Sequence, residues 1–497
     1  MNILLLSNNA PNYHYFFNHL VRRFHGDGAQ VVVAVDGSFS REVNGLDALG
    51  FDIHDFSAFF AAHKINNVVL DKYSDCNLNS ALLSDCERAE VYGIWNVDEE
   101  DYLERLKSAL LCYFEDLFEK YKIDAVLYEN VSNAFAHFAY FVATKFGACY
   151  CGIGASRLPG RFSITADPLN DSKPAEIFYA IRAGQREVDP EVKEWCKQYL
   201  DNLETIVPDY MKINGLDDTR LMRRYLRWDR IKTILTLLRH AGDKSLHAFQ
   251  MGNPVQHYFN LFKRNVARSI KLKWLWDYYD HPKEGERFIL YPLHFHPESS
   301  TSILAGTYLN EYEVVRNIAF NLPQGVRLYV KDHISAYGFP AKSFYRNLRR
   351  LPNVRVISPT AQIKSLIKRS LAVITLTSTA GYEALLMGKK VFLFGSVFYG
   401  FHKCVRKVEN PAGLHSMLQE QLREDCGHDR AYNLDFIAAY YYATKPGTLN
   451  LMKMGKGANE CADSVYDQIR EHLTLALAQH ATRVPDVSRY SVLEQQQ

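Results

Sequence analysis

The segment that decides the fold runs from Val373 to Val391 and reads Val-Ile-Thr-Leu-Thr-Ser-Thr-Ala-Gly-Tyr-Glu-Ala-Leu-Leu-Met-Gly-Lys-Lys-Val. Its apolar start predicts a β-strand, its hydroxyl residues and glycine predict a tight turn, and Ala380 to Met387 has helical spacing. The N–H groups and the dipole at the start of a helix favour the binding of anions. The hydroxyl groups of Thr377, Ser378 and Thr379 would add hydrogen-bond donors, so this segment predicts a phosphate site. An ordinary helix capped by Ser378 or Thr379 explains the same residues.

Two residues inside this helix extend the prediction to a nucleotide. Gly381 would allow the backbone to approach a ligand closely, because glycine carries no side chain. Glu383 lies one turn into the helix, where its carboxylate would accept hydrogen bonds from a ribose diol.

Length and composition indicate a globular protein of more than one domain. The chain has 497 residues, of which 47% are hydrophobic and 23% charged, so we expect two domains of about 200 residues each. We expect no transmembrane helix, because no stretch approaches the roughly 18 consecutive apolar residues of a spanning helix. We expect a cytoplasmic location, because the apolar start lacks the basic flank of a signal peptide. The nine cysteines form no CxxC pair, and we expect all of them to be reduced thiols.

The charge is unevenly distributed along the chain. Residues 220–273 contain thirteen Lys and Arg side chains but only two acidic ones, Asp229 and Asp243. Apolar residues from Leu221 to Leu238 recur every three or four positions, which predicts an amphipathic helix with a basic face. Such a helix would contact an anionic membrane or an anionic acceptor, although a solvated face of a helical insert fits equally well. We expect no nucleic-acid partner, since the net charge is only +2 and no binding motif is present.

Strand and helix patterns alternate in two parts of the sequence, which predicts two doubly wound α/β domains. The first part contains predicted strands at 2–7, 30–35, 125–128 and 149–153, and the second contains them at 288–291, 326–330, 354–357, 373–376 and 391–394. The predicted domains are an acceptor domain at 1–166, a helical basic insert at 167–285, a donor domain at 286–430, and C-terminal helices with a tail at 431–497. Neither a dinucleotide fingerprint nor a Walker loop opens any of the predicted helices.

Polar loops follow the strands of both predicted sheets, where ligands bind in such folds. In the first domain these loops are 7–13, 129–133 and 154–161, and they carry Glu129 and Arg157. In the second domain they are 292–301, 331–333, 377–379 and 395–399. Because the carboxyl ends of parallel strands lie at one edge, we expect both sets of loops to face a single cleft.

The charged groups of the second domain suit an anionic ligand. Lys331 and His333 would supply positive charge beside the predicted phosphate site. His294 and His296 would face the same way in an extended segment, with Glu298 close by. These three residues raise the question of a metal, but no further clustered ligand is visible, so we expect none.

These motifs resemble the bacterial capsule polysaccharide biosynthesis family, which includes the KpsC and KpsS type β-Kdo transferases. The residues that carry the resemblance are Lys331-Asp332-His333, Thr377 to Leu385, and Gly388-Lys389-Lys390-Val391. The loops at Tyr291 to Thr301, Glu129-Asn130 and Ser156 to Arg161 are also similar to those of surface polysaccharide relatives.

The resemblance implies a GT-B fold, with two Rossmann-like domains that face a cleft, and transfer of a sugar from a nucleotide donor. It implies a CMP-activated ulosonic acid, either Kdo or a nonulosonate such as pseudaminic acid, as donor substrate, with no separate cofactor and no metal. An oligosaccharide, polysaccharide or lipid-linked glycan would be the acceptor. By this resemblance His333, Ser378, Thr379 and Glu383 would hold CMP. The polar loops and the turn themselves add Lys331, Gly381, His294 and Glu298 as candidate donor-binding residues.

Glu129, His296 and Arg157 are the candidate catalytic residues. A carboxylate opposite the donor must activate the acceptor hydroxyl or attack the anomeric carbon, and Glu129 is placed for this role. Arg157 and Arg161 would pair with the sugar carboxylate or an acceptor phosphate, or else with acidic residues of the protein itself. Two alternatives remain for the whole chain: a GT-B transferase that uses a UDP- or GDP-sugar, and a non-catalytic capsule assembly or export component.

Overall fold

A computed structural model describes residues 1–8, 10, 13–91, 101–207, 235–242, 253–423, 426–450 and 459–483. The described strands are β1 (Asn2–Ser7), β2 (Gln30–Val35), β3 (Asp52–Asp55), β4 (Ala125–Glu129), β5 (Cys149–Ala155), β6 (Arg161–Thr165), β7 (Phe288–Pro292), β8 (Arg327–Lys331), β9 (Val354–Ile357), β10 (Ala372–Thr375), β11 (Lys390–Leu393), β12 (Val405–Lys407) and β13 (Thr444–Pro446).

Helices connect these strands and cover the sheets. Those of the first part are Tyr13–Gly26, Ser38–Val43, Phe56–Ala62, Asn67–Lys72, Leu78–Leu83, Cys86–Val91, Tyr102–Tyr121 and Ala134–Lys145. Lys173–Arg182, Pro190–Asp201 and Pro254–Leu275 follow, before Ser299–Ser302, Glu311–Asn321, Lys342–Arg350, Ile363–Arg369, Thr379–Leu386 and Leu414–Gln421. The chain then forms Arg430–Ala443 and Asn459–Arg483.

The strands form two Rossmann-like sheets. The first has the order β13-β6-β5-β4-β1-β2-β3, in which β1 to β5 are parallel, and the second has the order β12-β11-β10-β7-β8-β9, with parallel pairing throughout. Each sheet reverses its strand order once, between β1 and β4 in the first and between β7 and β10 in the second. Such reversals are switch points, and ligands of open α/β sheets bind beside them.

The predicted α/β class with two doubly wound sheets is confirmed. The bounds of β1 and β2 agree with the sequence-based expectation, because continuous Val and Leu runs are buried on both faces of a parallel sheet. β3 was not expected, since its sequence Asp-Ile-His-Asp is half exposed at the sheet edge and has no apolar run. β6 and β13 were also missed, and both are antiparallel to their neighbours.

The C-terminal part of the chain returns to the first sheet. β13 pairs with β6, and Val465, Tyr466 and Ile469 of the helix Asn459–Arg483 are buried in the core of that sheet. The helix Arg430–Ala443 packs against Lys173–Arg182 and contributes to the core of the second sheet. The C-terminal part of the chain thus contributes to both sheets, and the exact domain boundaries stay predictions.

Two expectations outside the sheets have different outcomes. A disulfide joins Cys404 and Cys426, so the expectation that every cysteine is a reduced thiol is wrong for these two. They approach each other because Cys404 precedes β12 and the chain returns beside it after the helix Leu414–Gln421.

An amphipathic helix is predicted at 221–238, and its residues 221–234 lie outside the described part of the chain. No helix in the described ranges is long and apolar enough to cross a membrane.

Candidate functional site

His294 lies at the switch point of the second sheet and connects its two central strands. It follows β7, and its Nε2 lies 3.3 Å from the N–H of Thr377 and 3.3 Å from Oγ1 of Thr375, at the end of β10. Its Nδ1 lies 2.8 Å from Oε1 of Glu311. Because a carboxylate only accepts hydrogen bonds, the proton sits on Nδ1, and Nε2 accepts from Thr377. His294 therefore fixes the shape of the hydroxyl turn, here defined as Thr375 to Ser378.

The hydroxyl turn leads directly into the helix Thr379–Leu386. The N–H of Ser378 donates to Oγ1 of Thr375 at 2.9 Å, and its side chain accepts from the N–H of Ala380 at 3.2 Å. Ser378 is thus the N-cap, as the simpler of the two sequence interpretations expects. The hydroxyl of Thr377 donates to the carbonyl of Ser300 at 2.8 Å, which attaches the turn to the loop that follows β7.

Glu311, which sequence reasoning missed, is the buried centre of this network. Its Oε1 accepts from the backbone N–H of His294 at 2.9 Å and from the hydroxyl of Tyr291 at 3.2 Å, besides the ring of His294. Its Oε2 lies 3.5 Å from Nε2 of His296. Burial alone would raise the pKa of Glu311, but the hydrogen bonds from His294 and His296 outweigh burial and lower its pKa to about 2. Glu311 is therefore an anion at neutral pH.

His296 connects the two halves of the molecule, which are here defined as the first sheet and the second sheet, each with its covering helices. Its Nδ1 is hydrogen-bonded to Oε1 of Glu87, which belongs to the helix Cys86–Val91 of the first half. Burial would lower the pKa of His296, but its hydrogen bonds to Glu311 and Glu87 raise its pKa to about 10. His296 is therefore a cation held between a carboxylate of each half.

The segment Lys331-Asp332-His333 follows β8, but it does not supply two positive charges. The ammonium of Lys331 donates to the carbonyls of Pro359 and Asp332 at 3.0 and 3.2 Å, and burial lowers its pKa to about 8. Burial also lowers the pKa of His333 to about 4, and its Nδ1 accepts from the N–H of Ser335 at 3.2 Å. Because His333 is neutral near pH 7, it offers a hydrogen bond to a ligand and no charge.

Gly381 has a packing role in the structure. A Cβ at this position would lie 2.6 Å from Oη of Tyr399 and 3.1 Å from Cγ2 of Thr375. The missing side chain makes room for Tyr399, whose hydroxyl donates to the carbonyl of Ser378 at 2.7 Å. Gly381 therefore makes room for the packing of Tyr399 against the helix, and the close approach of a ligand at its Cα stays a prediction.

Glu383 lies on the buried side of the same helix. Its Oε1 lies 3.6 Å from Nζ of Lys364. Burial raises the pKa of Glu383, and the charges of Lys364 and Arg157 oppose this shift. The guanidinium of Arg157, from the loop after β5, is therefore close enough to act on a carboxylate of the second half.

Glu129 occupies the switch point of the first sheet, at the end of β4. Its Oε1 accepts from the hydroxyl of Ser132 at 2.6 Å, and burial raises its pKa. Tyr13, which follows the β1 loop, has a pKa raised by the charge of Glu129, then by burial, and then by the charge of Glu298. The charges of Glu129 and Glu298, one from each half, therefore both raise the pKa of Tyr13.

The two arginines of the loop after β5 have different surroundings. The backbone N–H of Arg157 donates to Oη of Tyr440 at 3.1 Å. Arg161 donates to the hydroxyl and carbonyl of Thr444 at 2.8 and 2.7 Å, and it stacks 3.6 Å from the ring centre of Tyr441. Arg161 therefore holds β13 to the first sheet through a hydroxyl, backbone carbonyls and an aromatic ring, and not through the acidic residues that the sequence analysis offered as its structural partners.

The predicted site residues fall into two groups in space. His294, His296, His333, Glu298 and the hydroxyl turn with Thr379 follow the strands β7, β8 and β10 at the second switch point, while Glu383 lies further along the helix Thr379–Leu386, where the charges of Lys364 and Arg157 act on it. Within the described part of the chain, no group of three or more His, Cys, Asp or Glu residues is arranged to hold a metal ion.

Two Rossmann-like sheets in one chain, each with a parallel core and one switch point, are the arrangement of the GT-B class of α/β proteins. Residues 249–405 match the family model described as capsule polysaccharide biosynthesis protein. The matched segment contains β7 to β11 and all the polar loops of the second sheet's rim. The resemblance predicted from the motifs at 289–401 is therefore confirmed for this part of the chain. No curated protein sequence shows a significant match.

Solved structures with a similar arrangement include two from Thermosulfurimonas dismutans. The KpsC beta Kdo 2,7 transferase is 13% identical, with 66% of this chain and 79% of that chain covered and a TM-score of 0.34. The KpsC beta Kdo 2,4 transferase is 15% identical, with 70% and 87% covered and a TM-score of 0.33. The S. aureus MnaA-UDP co-structure is 10% identical, with 95% and 97% covered and a TM-score of 0.27.

Proposed function

We propose that this protein is a glycosyltransferase of capsule or surface polysaccharide assembly that transfers an ulosonic acid from a CMP-sugar. Kdo and nonulosonates such as pseudaminic acid are the donor sugars of this class. The acceptor is an oligosaccharide, a polysaccharide or a lipid-linked glycan. The family match over residues 249–405 supports the role in capsule biosynthesis, and the cleft supports the transfer reaction.

The observation that carries the proposal is the position of the helix Thr379–Leu386. Its first turn begins at the switch point of the second sheet, with Ser378 as N-cap and His294 fixing the turn before it. A helix start in such a position binds phosphate through its N–H groups and its dipole. Thr379 and the neutral ring of His333 add hydrogen-bonding groups for the phosphate of CMP, and His296 adds a positive charge on the cleft side.

Glu129 fits the role of the group that activates the acceptor. It lies on the opposite rim, and its raised pKa makes it a stronger base than an exposed glutamate. In the transfer, the bond from the anomeric carbon to the CMP phosphate breaks through an oxocarbenium-like state, while Glu129 accepts the proton of the attacking hydroxyl. The cation of His296 offsets the charge that develops on the departing phosphate.

The proposal is tested by thermal unfolding of the full chain with CMP, CDP, UDP and GDP. A ligand present at about 100 times its dissociation constant stabilises the folded state by about 2.7 kcal/mol. We expect CMP to raise the unfolding temperature and Ser378→Ala to reduce that rise. Asn66→Ala is the matched control: Asn66 also caps a helix through its side chain, but on the first half and away from the cleft. It should lose similar stability and keep the full CMP effect.

The other results would each contradict a different part of the proposal. Stabilisation by UDP or GDP in place of CMP would overturn the donor class and favour a different GT-B transferase. No stabilisation by any nucleotide would favour a non-catalytic assembly or export component. If Ser378→Ala and Asn66→Ala lose the CMP effect equally, the start of the helix Thr379–Leu386 is not part of the CMP-binding site.

A further inference from the structure

The helix Pro254–Leu275 places its positive charges toward the protein. Arg264 donates to the carbonyl of His296 at 3.2 Å, and Arg268 donates to the carbonyl of Tyr337 at 2.8 Å. Lys271 donates to the carbonyls of Phe339 and Pro340 at 3.1 and 2.9 Å. Leu275 is buried on the same side. These cations stabilise backbone oxygens of the second half, so they are not a solvated basic face.

The opposite side of this helix is exposed and largely apolar. The exposed fractions are 59% for Phe259, 46% for Phe262 and 58% for Ile270, and Trp276 just beyond the helix is 48% exposed. Val266 lies on the same side by helical spacing, as do Lys263 and Lys273, since these positions recur every three or four residues from 259 to 273. Val266 is half-buried and the other residues are exposed; together with Trp276 we call them the outer face of the helix.

An ordinary surface helix packs its apolar residues inward and leaves a polar outer side; this helix packs Leu272, Trp274 and Leu275 inward but also has large apolar residues on its outer side. A continuous apolar strip at the surface indicates contact with another apolar body. Lys263 and Lys273 are interspersed with the apolar residues, and the helix Pro254–Leu275 contains no acidic residue. Apolar side chains flanked by lysines, with a tryptophan at one end, are the features by which a helix lies in the interface of an anionic bilayer.

We propose that the outer face of the helix Pro254–Leu275 binds the surface of an anionic lipid bilayer. In such a complex Phe259, Val266 and Ile270 enter the boundary between headgroups and acyl chains, and the two lysines contact anionic headgroups. The helix is also in direct contact with the cleft, because Arg264 holds the carbonyl of His296. The bilayer would therefore lie beside the cleft, a position suited to a lipid-linked acceptor; this last step rests on the proposed function.

The direct test is flotation of the full chain with vesicles. The probes are vesicles of phosphatidylcholine alone and vesicles of phosphatidylcholine mixed with phosphatidylglycerol. We expect binding to the mixed vesicles only and weaker binding at high salt, because salt screens the headgroup charge. The double variant Lys263→Gln, Lys273→Gln should bind about thirtyfold more weakly. Phe259→Ser combined with Ile270→Ser should weaken binding about tenfold or more.

Matched controls separate these effects from general changes of the surface. Lys193→Gln with Lys197→Gln removes two lysines of another exposed helix, and Phe320→Ser with Leu475→Ser removes two other exposed apolar side chains. Both control variants should bind like the wild type. All variants should also keep the wild-type unfolding temperature, since the replaced side chains face outward.

Three results would overturn the proposal: no binding to mixed vesicles, equal binding by the outer-face variants and the controls, or concentration-dependent dimers that Ile270→Asp dissociates. The last result would assign the outer face to a second copy of this chain. CMP stabilisation measured without vesicles separates this proposal from the proposed function. If CMP stabilises the chain but the chain does not bind vesicles, the membrane proposal is wrong and the proposed function stands. If the chain binds vesicles but CMP does not stabilise it, the proposed transferase function is wrong and the membrane proposal stands.

Discussion

His296 and Glu87 form an ion pair between the two halves of the protein, through Nδ1 of the histidine and Oε1 of the glutamate. The two residues are 209 positions apart in the sequence, and their side chains are only 19% and 13% exposed. Since Glu311 lies on the other side of the imidazole, a single protonated ring joins an acid of each half. The ionisation of His296 is therefore coupled to the contact between the two halves.

Replacement of Glu87 by glutamine should reduce stability in a pH-dependent manner. The pKa of His296 is raised from 6.5 to about 10, so its stabilising contribution is complete below the unfolded-state pKa and is lost as the pH rises through about 10. We expect Glu87→Gln to lower the free energy of unfolding by about 2 kcal/mol near about pH 6. The difference from the wild type should shrink toward about pH 10. Urea unfolding at about pH 6 and about pH 10, followed by tryptophan fluorescence, measures this difference in unfolding free energy.

Glu194→Gln is the control for this experiment, because Glu194 pairs with Lys197 at 3.2 Å on an exposed helix. Exposed pairs of this kind contribute about 0.5 kcal/mol. A loss in Glu87→Gln that is the same at both pH values would show that the charge of His296 does not contribute to the contact between the halves.

Replacement of Glu311 by glutamine should weaken both the fold and the binding of CMP. Glutamine keeps the shape of the side chain but removes the charge that His294 and His296 share, so we expect a loss of about 3 kcal/mol in unfolding free energy. The hydroxyl turn also loses its fixed position, because the orientation of His294 depends on Glu311. The thermal shift by CMP, measured relative to each variant without ligand, should therefore decrease.

Glu313→Gln provides a closely matched control, since Glu313 lies two residues further along the same helix and pairs with Arg316 at the surface. We expect its stability to change by less than about 0.5 kcal/mol and its CMP effect to stay at the wild-type level. If Glu311→Gln is destabilised but its CMP effect is unchanged, Glu311 has a structural role only.

Replacement of Glu129 by glutamine should abolish transfer but leave donor binding intact. Loss of a general base lowers the rate by a factor of about 10² to 10⁴, while the proposed CMP site lies on the other half. Because burial raises the pKa of Glu129 above 4.5, the rate of the wild type should fall on the acid side at a pH above this value. Measurement of kcat and of the CMP thermal shift separates the two effects.

Ser132→Ala tests the same role by a change of pH profile. The hydroxyl of Ser132 donates to Glu129 and lowers its pKa, in opposition to burial. Its removal should therefore move the acid side of the pH–rate profile to higher pH while activity at higher pH persists. An unchanged profile would indicate that a different group accepts the proton.

The sequence patterns that predicted the fold correctly are local. The Val and Leu runs of β1, β2 and β10 are long enough to be buried strands, and the turn from Thr377 to Thr379 has the composition of a helix start. From these patterns and the strand-end rule, the grouping of His294, His296 and Ser378 at one rim could be predicted without any contact information.

The residues that escaped prediction are those whose role depends on distant parts of the chain. Glu311 and Glu313 follow the same Asn310 cap, and nothing in the sequence shows that only Glu311 faces the histidines. Glu87 lies in a short helix of the other half. The pairing of Cys404 with Cys426 spans no recognised motif. For Gly381, the sequence indicates that a side chain is absent but not whether a ligand or Tyr399 uses the space.

Replacement of Gly381 by alanine tests this assignment through its dependence on Tyr399. Alanine is favoured over glycine in a helix by about 1 kcal/mol, but its Cβ would lie 2.6 Å from Oη of Tyr399, and overpacking costs about 1 to 3 kcal/mol. We expect Gly381→Ala to lower the unfolding free energy by about 1 kcal/mol or more. In a Tyr399→Phe background, which removes the hydroxyl, the same change should be close to neutral.

Gly26→Ala is the control, because no heavy atom lies within 4 Å of its Cβ position, and it should be neutral or stabilising. Urea unfolding of the four combinations measures the coupling, and an equal cost of Gly381→Ala with and without the Tyr399 hydroxyl would mean that this contact does not determine the need for glycine.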